Sequence, residues 1–171
     1  MTLLKHLTST LAAFVLLAIF NLSTAFAQSN VQGTIFETST GTNLVVAAVG
    51  DRATATMGGV DISRSQFSGT AVETATAVNT VIAAVGENAT ARLGGIRMSN
   101  SQVQGTLRDT TTATNVVIAA VGKNGTATAG GIEINDSRFS GTMNETTTIS
   151  NTVIAGVGSL VTARVGGVRI N

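Results

Sequence analysis

Apolar and polar residues alternate over short segments throughout residues 29–171, which is the spacing typical of β-strands. Phe67, Gly69 and Ala71 would share one face of such a strand, with polar residues on the other face. The segment 89–93 alternates in the same way, and Val, Ile, Thr and Phe dominate these segments. Gly and Asn separate them, as turn residues do. The pattern therefore predicts an all-β chain.

One segment of each repeat departs from this alternation because it is apolar at almost every position. Val81–Val85 is an example, and such a continuous apolar run is typical of a strand buried on both faces. The run 116–121 is also compatible with a helix, since Ala is common in it. Its β-branched residues and its shortness favour a strand. We therefore expect this segment to form a fully buried strand.

The chain repeats itself with a period of 36 residues. Each unit carries a Gly-Thr pair, an acidic residue, a Thr-x-Thr triplet, an Asn, an apolar run and a Gly-Gly pair, in that order. The four units are residues 29–64, 65–100, 101–136 and 137–171. Such a unit holds about three strands, so we predict a β-solenoid of stacked parallel coils with one unit per coil. Two shorter coils per unit, or a hairpin pair in a larger sheet, fit the pattern as well.

Alternate units resemble each other more closely than neighbouring units do, so the deeper period is 72 residues. Thr56 and Thr128 stand in the first and third units where Arg92 and Arg164 stand in the second and fourth. The outward position near the end of each unit alternates in charge: Asp61, Arg97, Glu133 and Arg169. Stacking in register would place these residues ~4.8 Å apart in one column of attracting charges. The alternation therefore predicts parallel coils in register.

The same charge column predicts an interface between molecules. A second copy placed head-to-tail would set its Asp61 on Arg169 of the first copy and so continue the alternation. Solenoids that stay monomeric carry atypical terminal repeats, whereas the fourth unit here keeps the repeat pattern. An uncapped sheet edge is a template for pairing, and a head-to-tail contact of this kind generates a filament. We therefore expect the chain to be its own partner in a homopolymer.

Further columns are candidates for function. An acidic residue follows each Gly-Thr pair: Glu37, Glu73, Asp109 and Glu145. We interpret these as solvated surface carboxylates, with a weak calcium site as the alternative because Ca²⁺ prefers carboxylate oxygens. An Asn follows each Thr-x-Thr triplet: Asn43, Asn79, Asn115 and Asn151. Stacked amides form ladders in cross-β structures, so this column predicts a structural amide ladder.

Paired threonines form the remaining columns: Thr38 and Thr40, Thr74 and Thr76, Thr110 and Thr112, and Thr146 and Thr148. A flat Thr-x-Thr array resembles the ice-binding face of certain antifreeze solenoids, which implies a binding face. The alternative is structural, since threonine is a favourable strand residue whose hydroxyl group can face water.

The N-terminal segment has the parts of a secretory signal peptide. Lys5 and His6 precede an apolar stretch, Leu11–Phe20, and an Ala-Phe-Ala cleavage site follows. The apolar stretch is shorter than the roughly 20 residues that a membrane helix needs. We therefore expect residues 1–27 to be removed, leaving a chain that begins at Gln28 and is extracellular or on the cell surface.

Charge and side-chain chemistry narrow the classes of function. Removal of the predicted leader takes Lys5 and the only histidine, which leaves nine basic and nine acidic residues. That balance does not fit a nucleic-acid-binding surface, so we expect no nucleic-acid partner. The remaining chain lacks Cys and Tyr and has one lysine, Lys123. The residues that usually form nucleophile–base pairs and N/S metal sites are therefore missing from it, so we expect no catalytic residues, no cofactor and no metal site.

The combination of a signal peptide, tandem Gly/Asn/Thr-rich repeats and uncapped ends resembles the curli-type functional-amyloid subunits of Gram-negative bacteria. The resemblance covers residues 29–171 and is architectural, since curlin repeats are shorter and carry Gln and Asn columns inside each unit. It implies secretion, assembly outside the cell, an adhesive or biofilm-matrix role, and a nucleator or outer-membrane secretion partner. The expectation is therefore a secreted fibre subunit. The alternative is a monomeric solenoid that binds a glycan or ice through its threonine columns.

Overall fold

The computed structural model describes residues 24–27 and 30–171, and within them the chain forms strands and turns with no helix. Each 36-residue unit makes one coil, which confirms the predicted β-solenoid. A coil contains four strands rather than about three; in the second coil they have 13, 5, 4 and 4 residues. The extra strand arises because the Gly-Gly pair turns the chain between the last two short strands.

A short strand, β1 (Thr24–Ala27), precedes the coils. The first coil contains β2 (Asn30–Thr42), β3 (Val45–Val49), β4 (Thr54–Met57) and β5 (Val60–Ser63). The second contains β6 (Gln66–Val78), β7 (Val81–Val85), β8 (Thr90–Leu93) and β9 (Ile96–Ser99). The third contains β10 (Gln102–Thr114), β11 (Val117–Val121), β12 (Thr126–Ala129) and β13 (Ile132–Asn135). The fourth contains β14 (Arg138–Ser150), β15 (Val153–Val157), β16 (Thr162–Val165) and β17 (Val168–Ile170).

Equivalent strands of successive coils pair in parallel, so that each residue lies beside the residue 36 positions further on. Four sheets result. The long sheet has the order β14-β10-β6-β2, the valine sheet β15-β11-β7-β3 and the short sheet β16-β12-β8-β4. The tail sheet has five strands in the order β1-β5-β9-β13-β17. Equivalent residues of the repeat therefore stand in columns along the axis of the stack.

Left-handed backbone conformations turn the chain at the corners between the sheets. The corner between the long sheet and the valine sheet is an Asn in every coil, with φ between 47° and 54°. Asn and Gly adopt such conformations at a lower cost than most other residues. Gly94 and Gly95, between the short and tail sheets, have φ values of 62° and 93°. The Asn and Gly residues that punctuate the repeat are thus corners of the solenoid.

The inner faces of the sheets enclose two apolar clusters. The first lies among the long, valine and short sheets and includes Ile82, Leu93 and Ile118. The second lies between the tail and long sheets and includes Ile96 and Leu107. All five side chains are fully buried. Burial of each such side chain stabilises the fold by roughly 1.5–3 kcal/mol, before the entropy cost of ordering the chain.

The apolar run forms a strand, but that strand is not buried on both faces as predicted. Ile82 and Ala84 point into the core, whereas Val81 and Val85 face outward and are 37% and 40% exposed. The reason is architectural, because a coil has one layer of sheet on each side and nothing in the described chain covers the outer face. The valine sheet therefore presents an apolar outer surface.

The predicted signal peptide lies outside the described residues except for β1. This strand pairs in parallel with β5 and places Ala25 beside Asp61. It extends the tail sheet by one strand, in the register that a preceding coil would have. Removal of residues 1–27 would leave β5 as the edge strand of the tail sheet.

Candidate functional site

The C-terminal end of the solenoid exposes positions that the interior coils bury. Ile134 in the third coil is fully buried, whereas its equivalent in the fourth coil, Ile170, is 65% exposed. Ala129 and Val165 differ in the same way, at 0% and 46%. Inner positions are covered by the coils on both sides, and the fourth coil has a described neighbour on one side only. We call this surface the end face; it presents apolar side chains such as Val165 and Ile170 together with the carboxyl group of Glu145, and it is bordered by the edges of four strands.

Glycine columns distinguish the first coil from those that follow it. A Cβ atom at Gly69 would overlap the carbonyl oxygen of Gly33, and Gly105 and Gly141 stand in the same relation to the coil before each. A Cβ atom at Gly33 or at Gly50 would meet no atom within 4 Å. The interior positions require glycine because the next backbone is in contact, whereas the first coil leaves that contact open.

The predicted charge column is assembled by the register of the tail sheet. Asp61, Arg97, Glu133 and Arg169 are neighbours in that order. Of the three neighbouring pairs in this part of the described chain, one is an ion pair, with Arg97 Nε 3.3 Å from Glu133 Oε2. Arg169 Nε instead donates to Asn171 Oδ1 at 3.0 Å. The column therefore brings the charges together, but only its middle pair is in direct contact.

The partner of Asp61 lies outside the column. Arg92 Nη1 is 3.0 Å from Asp61 Oδ1, and the Arg92 side chain is only 7% exposed. The same guanidinium donates through Nε to Gly94 O at 2.7 Å and through Nη2 to the carbonyl of Gly95. Arg92 thus joins the Gly-Gly corner of its coil to the tail strand of the coil before it. The sequence contained a signal for this role, since Arg92 and Arg164 recur in the units that follow an acidic tail position.

Positive charges converge on Glu133. Partial burial by itself would raise the pKa of Glu133. A hydrogen bond with Asn135 and the charge of Arg97 lower it, and the charges of Arg164 and Arg169 act in the same direction. The pKa of Glu133 therefore lies below its ordinary value, which keeps this member of the column ionised.

The acidic column is not on the surface, contrary to its interpretation as solvated carboxylates. Glu73 and Asp109 are 0% and 1% exposed, Glu37 is also buried, and Glu145 is half-buried. These residues lie side by side on the inner face of the long sheet. The physical reason is the adjacent Gly-Gly corner, whose backbone N–H groups can bind a carboxylate inside the coil.

Asp109 shows how the corner accepts a carboxylate. The N–H of Gly95 donates to Asp109 Oδ1 at 3.1 Å, and the N–H of Gly131 donates to Oδ2 at 2.7 Å. These two glycines belong to successive coils, so one carboxylate links two corners. In the first coil, Ser39 Oγ donates to Glu37 Oε1 at 2.7 Å. The acidic column is therefore part of the interior hydrogen bonding.

Glu73 differs from its neighbours because both its carboxyl oxygens are buried without a hydrogen-bond partner among the described residues. Burial away from water, and then the adjacent Asp109, raise the pKa of Glu73 to about 10. A neutral carboxylic acid at this position avoids two adjacent buried negative charges. The described chain contains no group of three or more His, Cys, Asp or Glu residues arranged to hold a metal ion.

Hydrogen bonds join members of the Asn column along the axis. Asn79 Nδ2 donates to Asn43 Oδ1 at 3.1 Å, and Asn115 Nδ2 donates to Asn79 Oδ1 at 3.0 Å. Asn151 ends the column with the same left-handed backbone, at φ 47°. The amides therefore combine two tasks, since they turn the chain and also bind one coil to the next.

The paired threonines stand in columns on the outer face of the long sheet. All eight side chains are exposed or half-buried, and the register places each beside its equivalents in the adjacent coils. Rows of this kind are spaced ~4.8 Å apart along the solenoid and ~6.6 Å apart along a strand. The face therefore offers a regular array of hydroxyl groups to water or to a polar ligand.

A groove of about 400 Å³ lies at the beginning of the long sheet, before the paired threonines in each strand. It spans all four coils, and its lining includes the amides of Gln32, Gln66, Gln102 and Gln104 together with Phe67. The sequence interpretation did not single out this groove. Gln66 and Gln102 are 36 residues apart and Gln32 and Gln104 are 72 apart, which is the signal that would have revealed it.

The fold and these columns define the class of the protein as a parallel β-solenoid of four coils. Comparisons with protein-family models, with curated proteins and with solved structures found no match. The described residues include no helix that is long and apolar enough to cross a membrane.

Proposed function

We propose that this chain is a secreted structural subunit that assembles head-to-tail into extracellular fibres with an adhesive or biofilm-matrix role. The observation that carries the proposal is the end face, where Val165 and Ile170 are exposed at positions that interior coils bury. The first coil of another molecule repeats the same pattern, so it could cover this face as each coil covers the one before it. Such a contact does not close on itself, and its repetition gives a filament.

The charge column supports the head-to-tail order. Arg97 of the second coil contacts Glu133 of the third. Arg169 of the fourth coil would stand in the same relation to Asp61 of the next molecule. Opposite charges at neighbouring strand positions attract by roughly 0.2–1 kcal/mol, so this contact favours the correct register more than it supplies the affinity.

The position of β1 supports export before assembly. β1 occupies the edge of β5 on which β17 of a preceding molecule would pair, because Ala25 and Arg169 are equivalent positions of the repeat. Removal of residues 1–27 during export would free that edge. Assembly would then be confined to the outside of the cell, where a nucleator or an outer-membrane secretion partner could act.

A monomeric binding module for a glycan or for ice is the second candidate function. The threonine columns on the outer face of the long sheet favour it, and so does the amide-lined groove at the beginning of the same sheet. Both features lie on the side of the solenoid and not at its ends. A ligand could therefore bind to them in a monomer and in a fibre alike.

The proposal is tested by negative-stain electron microscopy of the full chain after export by a bacterial host, with its N-terminus determined by mass spectrometry. We expect the wild type to begin near Gln28 and to form unbranched filaments within hours to days. The Gly33→Ala variant should remain folded but fail to elongate. Its new Cβ atom has free space in the monomer, but in a filament it would overlap the carbonyl of Gly141 of the preceding molecule.

Gly50→Ala is the second variant of this test, because its Cβ atom is equally free in the monomer and equally obstructed in a filament. Circular dichroism serves as the control for folding, since both glycines have a left-handed φ that alanine adopts at some cost. Filaments of either variant that match the wild type would contradict head-to-tail stacking. A wild type that stays monomeric under all conditions would favour the binding module.

A further inference from the structure

The outer face of the valine sheet is exposed and uncharged in every coil. Each strand contributes an outward Val-Ala-Val triplet, and we call the set of four triplets the valine face. Val81 and Val117, in the interior coils, are 37% and 39% exposed, and Val49 is 82% exposed. The largest contiguous apolar patch on a protein surface is often an interaction site. The outer face of the long sheet, by contrast, is rich in threonine.

We propose that the valine faces of two copies of this chain pack against each other, with the two solenoid axes antiparallel. Sheets stack face to face at ~10 Å when their side chains interdigitate, and rows of valine and alanine are shaped for such packing. The two-fold axis would run parallel to the strands and pass between the second and third coils. This inference rests on the proposed fibre, because the valine face of a single copy is too small to hold a partner tightly.

Charges at the rim of the valine face are complementary in this arrangement. Glu87 of the second coil and Lys123 of the third follow the valine strands and are both exposed. A two-fold axis parallel to the strands places the second coil of one copy opposite the third coil of the other. Each copy would therefore set its Glu87 against Lys123 of its partner, which gives two opposite-charge contacts per pair. A two-fold axis along the solenoid would instead set like residues of the same coil at opposite edges of the interface.

The area of the valine face explains why this contact needs the fibre. Five residues of strand by four strands cover roughly 300 Å² at ~3.3 Å per residue and ~4.8 Å per strand. A stable interface buries about 800 Å² per partner. One copy is therefore too small to hold a partner tightly, whereas about three stacked copies reach the required area. Lateral pairing should follow polymerisation and should join fibres into bundles.

A lipid surface is a poorer occupant of the valine face. Interfacial membrane binding uses aromatic residues with Lys and Arg around them. The four strands of the valine sheet contain no aromatic residue, and the charged residues that follow them balance: Asp51 and Glu87 against Arg52 and Lys123. A second copy of this chain, with the same apolar rows and a reversed order of charges, fits these features better.

Charge-reversal variants of the full exported chain test the proposal. In Glu87→Lys or Lys123→Glu alone, like charges would oppose each other across both contacts of the pair. We expect the fraction of bundled fibres in electron micrographs to fall by roughly tenfold in each single variant, because every subunit contributes to the repulsion. The Glu87→Lys/Lys123→Glu double variant should restore bundling. Val117→Thr should also reduce it, whereas Val72→Thr, on the outer face of the long sheet, should not.

The outcomes separate this inference from the proposed function. Wild-type filaments that stay single, or bundles that Glu87→Lys, Lys123→Glu and Val117→Thr leave unchanged, would overturn lateral pairing and leave the fibre intact. If no filament forms, sedimentation at millimolar concentration replaces microscopy. A weak dimer that the single charge variants lose and the double variant regains would then support the valine-face contact while the fibre proposal fails. A strict monomer at millimolar concentration would overturn the valine-face contact. Equal adsorption of all variants to lipid vesicles, with no pairing of copies, would overturn it as well.

Discussion

The third and fourth coils have nearly the same pattern, yet they provide very different environments for equivalent residues. Leu107 and Asp109 are buried in the third coil, while the corresponding Met143 and Glu145 are half-buried. Each pair lies in adjacent strands with no shift of register. The difference comes from the neighbour that the fourth coil lacks within the described chain.

This difference shows that burial in a solenoid belongs to the contact between coils and not to the coil itself. A coil has no core of its own, because its inner side chains are covered from above and below as well as from the opposite side. The stability of the molecule is therefore distributed among three coil–coil contacts. A fourth contact, made with another molecule, would give the terminal coil the environment of an interior one.

The largest expected effect concerns the buried carboxyl group of Glu73. Its pKa in the folded protein is raised to about 10, so the neutral form stabilises the fold fully below the ordinary carboxyl pKa. That stability is lost as the pH rises towards 10. Denaturant unfolding should show a decrease on the order of 5 kcal/mol between pH 5 and pH 9.

Glu73→Gln should flatten this pH dependence, because a glutamine cannot lose a proton. Glu145→Gln is the matched control in the fourth coil, where water reaches the side chain, and it should keep the pH dependence of the wild type. Equal effects of the two substitutions would show that interior and terminal carboxyl groups do not differ as described.

A pair of isoleucines gives a smaller effect and tests the contrast between coils directly. Ile134→Ala should lower the free energy of unfolding of the monomer by about 2–5 kcal/mol, because it leaves a cavity in the core. Ile170→Ala should cost less than about 1 kcal/mol, since Ile170 is 65% exposed. Chemical unfolding monitored by circular dichroism measures both. In assembled fibres Ile170→Ala should become nearly as costly as Ile134→Ala, and an unchanged small cost there would argue against a covered end face.

The smallest expected effect is that of Arg169→Glu, which sets a carboxylate of one molecule against Asp61 of the next. One repulsive contact replaces an attractive one, so we expect a longer lag before filament growth and a loss of about 1–2 kcal/mol in subunit affinity. Thioflavin fluorescence and electron microscopy give the lag and the yield. Arg169 also lies beside Glu133 within the molecule, so we expect the variant to lower the free energy of unfolding of the monomer by less than about 1 kcal/mol, which chemical unfolding measures separately. Growth at the wild-type rate in low salt would mean that the charge column does not extend across molecules.

The repeat carried most of the information about the fold. Equivalent residues 36 positions apart predict stacking in register, and the Asn and Gly columns mark the corners because few other residues adopt left-handed backbone conformations. The number of strands per coil was harder to infer, since the turn at Gly94 and Gly95 interrupts a segment that alternates on both sides of it.

Which side of a strand faces the core was the weaker part of the prediction. The inner face of the long sheet mixes apolar residues such as Leu107 with acidic ones, and its outer face mixes threonine with Phe36, so hydrophobicity alone does not separate the two faces. The alternation that places Phe67 and Ala71 on the inner face also places Glu73 there, and it could have located the acidic column. The partner of Asp61 depends on how Arg92 folds across a glycine corner, and that geometry cannot be read from the spacing of charges.

The glycine columns have a consequence for the accuracy of growth. At Gly69, Gly105 and Gly141 only a hydrogen atom fits against the neighbouring carbonyl group, so a strand with any other residue at that position would clash with the coil before it. A strand added one residue out of place would bring a Cβ atom to that point and turn its inner side chains outward. In a fibre of the proposed kind, steric overlap would disfavour such an addition before it is extended. The register of each added molecule would then be set by the backbone of the molecule before it, even where a nucleator begins the fibre.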